Sequence, residues 1–251
     1  MIKFITDQPM LFLEEKSTLV LGDLHIGLDY RLYKDGIHIP DQLPEMEKNI
    51  RKYIKKTGSE KIVILGDIKD EVPGINYPEM REIPEFLEKL SKLVDVNICK
   101  GNHDTHLEKI VPKNVKIHPS DGFFMDNYFF CHGHTWPSKD FLNCDFLITG
   151  HIHPVFEFKD NFGYKITKPV WIKSRIKKEV FHEKYKIKKE GEIEIFVVPS
   201  FNQLLGGYPL NRIKEVERIS PILKKYILLS KKTELYLLDG TYLGILGEII
   251  P

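Results

Sequence analysis

Five short clusters of metal-binding residue types stand along this chain, each directly after an apolar run. They are Gly22-Asp23-Leu24-His25, Gly66-Asp67, Gly101-Asn102-His103-Asp104, His132-Gly133-His134 and Gly150-His151-Ile152-His153. Any one of them recurs by chance, but five in a fixed order do not. Short apolar runs bounded by turn residues read as buried strands. In open α/β sheets, the ground outside the carboxyl ends of the strands is where ligands bind. A chain that closes strand after strand with such groups is therefore expected to gather them at one place. The glycines let the backbone turn sharply there and let side chains crowd a small volume.

The rhythm between the clusters sets the expected fold. Thr18 to Leu21, Lys61 to Leu65 and Val96 to Cys99 read as strands. Gln42 to Lys56 reads as a helix with Asp41 as N-cap and Gly58 beyond its end, and Ile83 to Val94 as a second helix. This β-α-β-α-β order predicts a parallel sheet. The second half is richer in strands: Phe123 to Met125, Tyr128 to Cys131, Phe146 to Thr149, Val155 to Phe158, Tyr164 to Thr167, Ile193 to Val198, Leu235 to Leu238 and Tyr242 to Leu246. The expectation is an α/β fold, a four-layer α/β/β/α sandwich of two mixed sheets flanked by helices. No linker or repeat divides residues 1–251, so a single domain is expected.

Composition narrows the partners. Lys and Arg number 37 against 36 Asp and Glu, so bulk charge does not argue for nucleic acid, and any basic surface must be local. Cys99, Cys131 and Cys144 form no pair motif, which predicts free thiols and a reducing cytoplasm. There is no signal-peptide pattern at the N-terminus and no apolar run of bilayer length, so no membrane role is expected. Oligomeric state is not readable.

Carboxylate, amide and imidazole donors without thiolate suit Mn²⁺, Fe or Zn²⁺ better than Cu(I). Asp23, His25, Asp67, Asn102, His132, His151 and His153 are too many for one ion and suffice for two. The series resembles the calcineurin-like metallophosphoesterase superfamily, whose motifs D-x-H, G-D-x-x-[DH], G-N-H-[DE], H and G-H-x-H all stand here in order, from about Thr18 to Asn202. Within it, the stretch Pro199 to Gly207 is similar to the small SbcD-related phosphoesterases, including the PdeM group.

The resemblance implies two divalent ions, Mn²⁺ foremost, with Fe, Zn²⁺ or Ni²⁺ as other occupants. Asp23, His25 and His153 would hold one ion and Asn102, His132 and His151 the other, with Asp67 bridging. His103 would protonate the leaving oxygen, Asp104 would orient the His103 ring, and Asp70 would support a ligand. It further implies a phosphodiesterase in which hydroxide generated at the metals attacks phosphorus, with single-stranded or short DNA as a substrate and a link to DNA repair. Full SbcD-type nucleases are longer, so processive duplex resection is not expected. A phosphomonoesterase or cyclic-nucleotide phosphodiesterase would use the same metals. A non-catalytic scaffold on this fold would be expected to have lost His103 or several ligands, and none is missing.

One departure concerns the second motif, which many relatives follow with arginine; this chain has Glu71. A phosphate-binding cation would then come from elsewhere, and Arg31, Lys69, Lys100 and Arg175 are the candidates. Lys173 to Lys189 is rich in basic residues, with Trp171, Phe181 and Tyr185 nearby. Basic and aromatic groups together can grip single-stranded nucleic acid, although such a run more often forms a solvated face. His134 reads as a neighbour of the ligands or a turn residue.

Overall fold

The computed structural model describes residues 1–212, 220–222 and 232–249. Its first sheet holds six strands in the order β1 (Ile2–Phe4), β2 (Leu11–Leu13), β3 (Thr18–Leu21), β4 (Lys61–Ile64), β5 (Asp95–Cys99) and β6 (Lys116–His118). Pairing is antiparallel across the first three and parallel from β3 onward. Parallel neighbours require crossovers. Helices α1 (Leu28–Lys34) and α2 (Leu43–Thr57) fill the first and α3 (Tyr77–Ser91) the second. The second sheet contains β7 (Phe123–Met125), β8 (Tyr128–Cys131), β9 (Phe146–Thr149), β10 (Pro154–Lys159), β11 (Lys165–Lys177), β12 (Glu192–Val197) and β13 (Tyr208–Pro209). They are arranged β13-β10-β11-β12-β9-β8-β7, with β14 (Glu234–Leu237) and β15 (Tyr242–Ile245) added beside β11.

Side-chain alternation explains the layering. Successive strand residues point to opposite faces. Leu19, Leu21, Ile62 and Ile64 accordingly pack against Ile50, Ile54, Phe86 and Leu90 of the helices. Val20, Val63 and Cys99 pack the other way, against Tyr128, Phe130, Ile148, Trp171 and Phe196 of the second sheet. The outer face of that sheet, with Phe129, Leu147, Ile172 and Ile195, is covered by Phe141, Phe181, Leu210 and Leu246. These come from short pieces, including 3-10 turns at Lys139–Asn143 and Lys178–Phe181 and helix α5 (Leu246–Ile249). Three apolar seams between four layers give the expected sandwich. The three cysteines are free and buried. No helix among the described residues is long and apolar enough to cross a membrane.

Helix α1 and strands β1, β2, β6 and β13 have no counterpart in the sequence reading, and α2 has Gln42 rather than Asp41 at its N-cap. Two further elements have bounds other than expected. Helix α3 begins at Tyr77 rather than Ile83, because Asn76 and Glu79 form a reciprocal capping box, each side chain accepting the other's backbone N–H at 2.9 Å. Strand β11 runs on to Lys177. Its first half pairs with β10 and its second half lies between β12 and β14. The basic alternation of Lys173, Arg175 and Lys177 is thus one face of a strand interleaved with Ile172, Ser174 and Ile176.

Trp171 sits fully buried between the sheets, stacked on Phe4 with ring centroids 4.8 Å apart. Trp171→Ala is expected to cost about 3–5 kcal/mol of stability, read as a lower midpoint in urea unfolding.

Candidate metal centre

Strands β3, β4 and β5 are parallel, as are β8 and β9, so the residues just past them emerge at the same end of each sheet. Hydrogen bonds then join the loops. Asp23 N–H donates to the Gly66 carbonyl (3.1 Å), Gly150 N–H to the His132 carbonyl (2.9 Å) and Phe201 N–H to the Gly22 carbonyl (2.9 Å). The turns are tight. Asp23, His25, Asp67, His151 and His153 all have positive φ, between 43° and 76°. Only glycine adopts that region without cost, and residues held there mark places where surrounding structure over-determines the backbone. Gly101 is required by close approach, since a side chain there would run into the Asp67 backbone and carboxylate.

The structure brings the candidate donors into overlapping groups. Asp23, His25 and His153 have donor atoms within 4.8 Å of one another, as do Asp67, His132 and His151, and also His25, Asp67 and His103. Asp67 lies between them, its Oδ2 3.5 Å from His25 Nε2 and 3.2 Å from His132 Nε2. Asn102 Oδ1 is 3.1 Å from His132 Nε2, which is also 3.1 Å from His151 Nδ1.

Three of the imidazoles are oriented through the nitrogen turned away from the site. His25 Nδ1 is 3.1 Å from Asp70 Oδ1, His132 Nδ1 2.6 Å from the Leu65 carbonyl and His153 Nδ1 3.3 Å from the Gly206 carbonyl. Such partners fix the ring and leave Nε2 as donor to a cation. Asp23 Oδ1, His25 Nε2 and His153 Nε2 are buried with no hydrogen-bond partner among the described residues. Asp23 Oδ1 and His153 Nε2 are 3.2 Å apart yet not aligned as a hydrogen bond. Buried donors without protein partners, of hard and borderline type, fit a divalent cation.

The electrostatics are those of a site organised around negative charge. Burial opposes ionisation of Asp67, but the facing His132 and His25 and the His103 N–H outweigh it and hold the carboxyl below its ordinary range. Burial likewise opposes charge on Asp23, and His153 and His132 bring it below its usual value. Burial opposes protonation of His132, yet the Asp67 and Asp23 charges raise it to about 9. His134, whose ring lies 5.2 Å from that of His132, is pushed down to about 4 by burial and by the His132 charge. It belongs to none of the donor groups.

Several residues have partners other than those expected. Asp104 does not hold the His103 ring. Its buried carboxylate accepts backbone N–H groups from Asp67 (2.8 Å), Gly101 (2.8 Å), Ile68 (2.9 Å) and Lys69 (3.4 Å). The His103 ring is held through Nδ1 by the Asp70 carbonyl at 2.7 Å, and its N–H donates to Asp67 Oδ1 at 2.8 Å. Arg31 grips the Asp70 carboxylate, with Nε 2.5 Å from Oδ2 and a terminal nitrogen 3.3 Å from Oδ1, and so supports His25 from behind. Its guanidinium and the His25 hydrogen bond keep Asp70 down at about 2, against the opposing effect of burial.

Arg175 lies away from the donor groups. It pairs with Glu194 opposite Phe146, at the start of β9, whereas the donors follow the end of that strand. Lys69 is fully buried and donates to the Glu71 carbonyl, and Lys100 pairs with Glu108 at 2.9 Å. The aromatics of the basic stretch are equally committed. Trp171 and Phe181 are fully buried, and the Tyr185 hydroxyl donates to the Pro137 carbonyl at 2.7 Å. Trp171 and Phe181 therefore present no open ring face, and Tyr185 is half-buried.

Two supporting groups were not read from sequence. Glu79, fully buried, accepts the N–H groups of Asp70 (3.0 Å) and Glu71 (2.7 Å) besides capping α3. Asn202 and Ser200 tie the Pro199 to Gly207 stretch to the Asp23 loop through the Leu24 and Asp23 carbonyls. The capping pattern N-x-x-E at Asn76 was the available signal for Glu79.

Asp104→Ala would leave up to four loop N–H groups without their acceptor. The expected result is a loss of at least about 1–3 kcal/mol in stability together with weaker metal uptake by calorimetry. Unchanged stability and uptake, with only turnover reduced, would instead place Asp104 behind His103.

Residues 16–197 match the family model described as calcineurin-like phosphoesterase. No curated protein matches the chain. Among solved structures, the chain is similar to Pseudomonas putida nuclease MPE, at 16% identity over 94% of this chain and 90% of that one, with a TM-score of 0.56. It is also similar to Yfce, a phosphoesterase from E. coli, at 14% identity over 90% and 96% with a TM-score of 0.42. A third is vacuolar protein sorting 29 from Cryptosporidium parvum, at 20% identity over 58% and 69% with a TM-score of 0.31. At these identities the likeness concerns the fold. The family match takes in strands β3 to β12 and every donor described above, and on it the chain belongs to the calcineurin-like phosphoesterases, hydrolases whose sites take divalent metals.

Proposed function

We propose that residues 1–251 form one metallophosphoesterase domain that hydrolyses phosphodiesters with two divalent ions, Mn²⁺ foremost. Asp23, His25 and His153 would hold one ion and Asn102, His132 and His151 the other, with Asp67 placed to serve both. The observation that carries this reading is the set of buried donors, Asp23 Oδ1, His25 Nε2 and His153 Nε2, that have no hydrogen-bond partner among the described residues, beside an Asp67 carboxylate placed between two imidazoles. Support for one domain comes from the chain ends. Strand β1 lies in one sheet and β15 in the other, and Asp7 N–H donates to the Leu238 carbonyl at 2.8 Å.

Two such ions, when bound, neutralise phosphoryl oxygens and lower the pKa of an attacking water. The protein's own contribution is positioning and a proton. Asp67 Oδ1 is engaged by the His103 N–H, which leaves Oδ2 turned toward His25 and His132. The Asp70 carbonyl accepts from His103 Nδ1–H, so Nε2 is the ring atom left to pass a proton to a departing oxygen. Asp104 serves this step indirectly, by holding the Asp67 and Gly101 backbones in register.

Glu71, in place of a phosphate-binding arginine, accepts from Lys34 at 3.3 Å. A site poor in free cations favours the singly charged diester over the nearly doubly charged monoester. The SbcD-related resemblance of Pro199 to Gly207 points the same way, toward single-stranded or short DNA and a repair role. The three free, buried thiols fit a reducing cytoplasm.

Metal titration should find two sites per chain, and chelation should abolish turnover of bis-p-nitrophenyl phosphate; full activity in stripped protein would refute the reading. Asp67→Asn should weaken both sites, because it removes the charge between the cations. A kcat/KM higher on p-nitrophenyl phosphate than on the diester would make the protein a phosphomonoesterase.

His103→Ala should keep both metals and lose about 10²–10⁴-fold in rate on esters with poor leaving groups. The loss should shrink on nitrophenyl esters, which need little protonation. Loss of one metal from this variant would make His103 a ligand.

A further inference from the structure

Strand β10 starts at Pro154, directly after His153, and runs about 17 Å outward before turning back as β11. At its base a cavity of about 220 Å³ opens beside His153, walled by Val155, Thr167 and Lys168 of the hairpin and by Gln203 and Leu205 of the facing loop. At its tip Phe162 is 97% exposed and Tyr164 70% exposed. The tip is held in shape, because Asp160 Oδ1 accepts the N–H of both Phe162 (2.9 Å) and Tyr164 (2.8 Å). Two aromatic rings are thus presented to solvent on a braced turn.

The charges between base and tip are as unusual. Lys159 and Lys165 stand directly opposite each other in the β10–β11 register, where like charges repel. The acid on that face, Glu157, is shared between Lys165 at 3.4 Å and Arg212 at 2.5 Å. The face carries more positive than negative charge although the chain as a whole is balanced. A polyanion lying along it would relieve that repulsion, and exposed rings offer stacking surfaces to any base.

We propose that the β10–β11 hairpin is an arm for single-stranded nucleic acid. The strand's phosphates follow Lys165 and Lys159, its outer bases stack on Tyr164 and Phe162, and a nucleoside enters the cavity beside His153. This arm takes over the role that the Lys173 to Lys189 stretch cannot fill, and it rests on the phosphodiesterase reading only for the fate of the bound strand.

The test is fluorescence anisotropy with a labelled, phosphorothioate-protected single-stranded oligodeoxynucleotide and the Mn²⁺-loaded protein. The Phe162→Ala/Tyr164→Ala double variant should bind about ten-fold or more weakly. Lys159→Ala should bind more weakly and show a shallower salt dependence. Phe124→Ala, which removes a ring 60% exposed on the far edge strand β7, should match wild type. Wild-type protein that fails to bind the oligonucleotide, or a double variant that binds as well as wild type, overturns the arm even if bis-p-nitrophenyl phosphate is hydrolysed. Binding that depends on Phe162 and Tyr164 upholds the arm even if no diester is cleaved, and in that case the phosphodiesterase reading alone fails. Sedimentation with anionic lipid vesicles that is lost in the double variant, with oligonucleotide affinity unchanged, would reassign the tip to a membrane surface.

Discussion

Asp104 gathers backbone N–H groups from Gly101, Asp67, Ile68 and Lys69, and through them the loops after β4 and β5 become one rigid piece. Its carboxyl is raised by burial and by the Asp67 charge, so a site built there must supply enough donors to accommodate it. Backbone N–H groups do so without adding a mobile side chain, and hydrogen bonds to an ionised group are roughly twice as strong as neutral ones. The orientation of Asp67, and with it the spacing of His25 and His132, follows from this joint. The His103 N–H on Asp67 Oδ1 extends it to the group assigned to proton transfer.

Such bracing is needed because the backbone at the site is held away from its preferred conformations. Five of the donor residues, Asp23, His25, Asp67, His151 and His153, have positive φ. At about 1–3 kcal/mol each, their summed cost is comparable to the net stability of a typical domain. It is offset by the three apolar seams and by bonds such as Asp23 N–H to Gly66 and His25 N–H to Asp67 carbonyls. The return is convergence: a left-handed residue turns the chain within one position, so both members of Asp23/His25 and of His151/His153 reach the same small space.

Charge explains why the centre tolerates two buried carboxylates. Asp23 faces His153 and Asp67 faces His132, and these pairings lower the acids while raising His132 to about 9 and His153 above its usual value. A cation bound there would take the place of those protons, since ligating imidazoles must be neutral, and its uptake would release protons and strengthen as pH rises. The outer partners, Asp70 on His25 and the Leu65 carbonyl on His132, keep both rings in place in either state.

The donors themselves were legible in the sequence because they sit next to strand ends, and strand ends are local features of alternation and apolar run. The same locality marked β3, β4, β8 and β9, and with them the two-sheet sandwich. What the sequence did not disclose depends on register and on distant partners. Asp104 follows His103 in the chain, but its carboxylate turns to the β4 loop. Arg175 and Trp171 lie on the same strand, yet pairing with β12 puts one at the far end of the sheet and the pleat puts the other between the sheets. Glu79 looks like a helix cap and is also the brace for Asp70. The sequence alone determined which chemistry could occur, because donor types and their order are covalent facts. Tertiary structure decided which residue supports which, because a carboxylate's partners are set by the strands that fold against it and not by its neighbours in the chain.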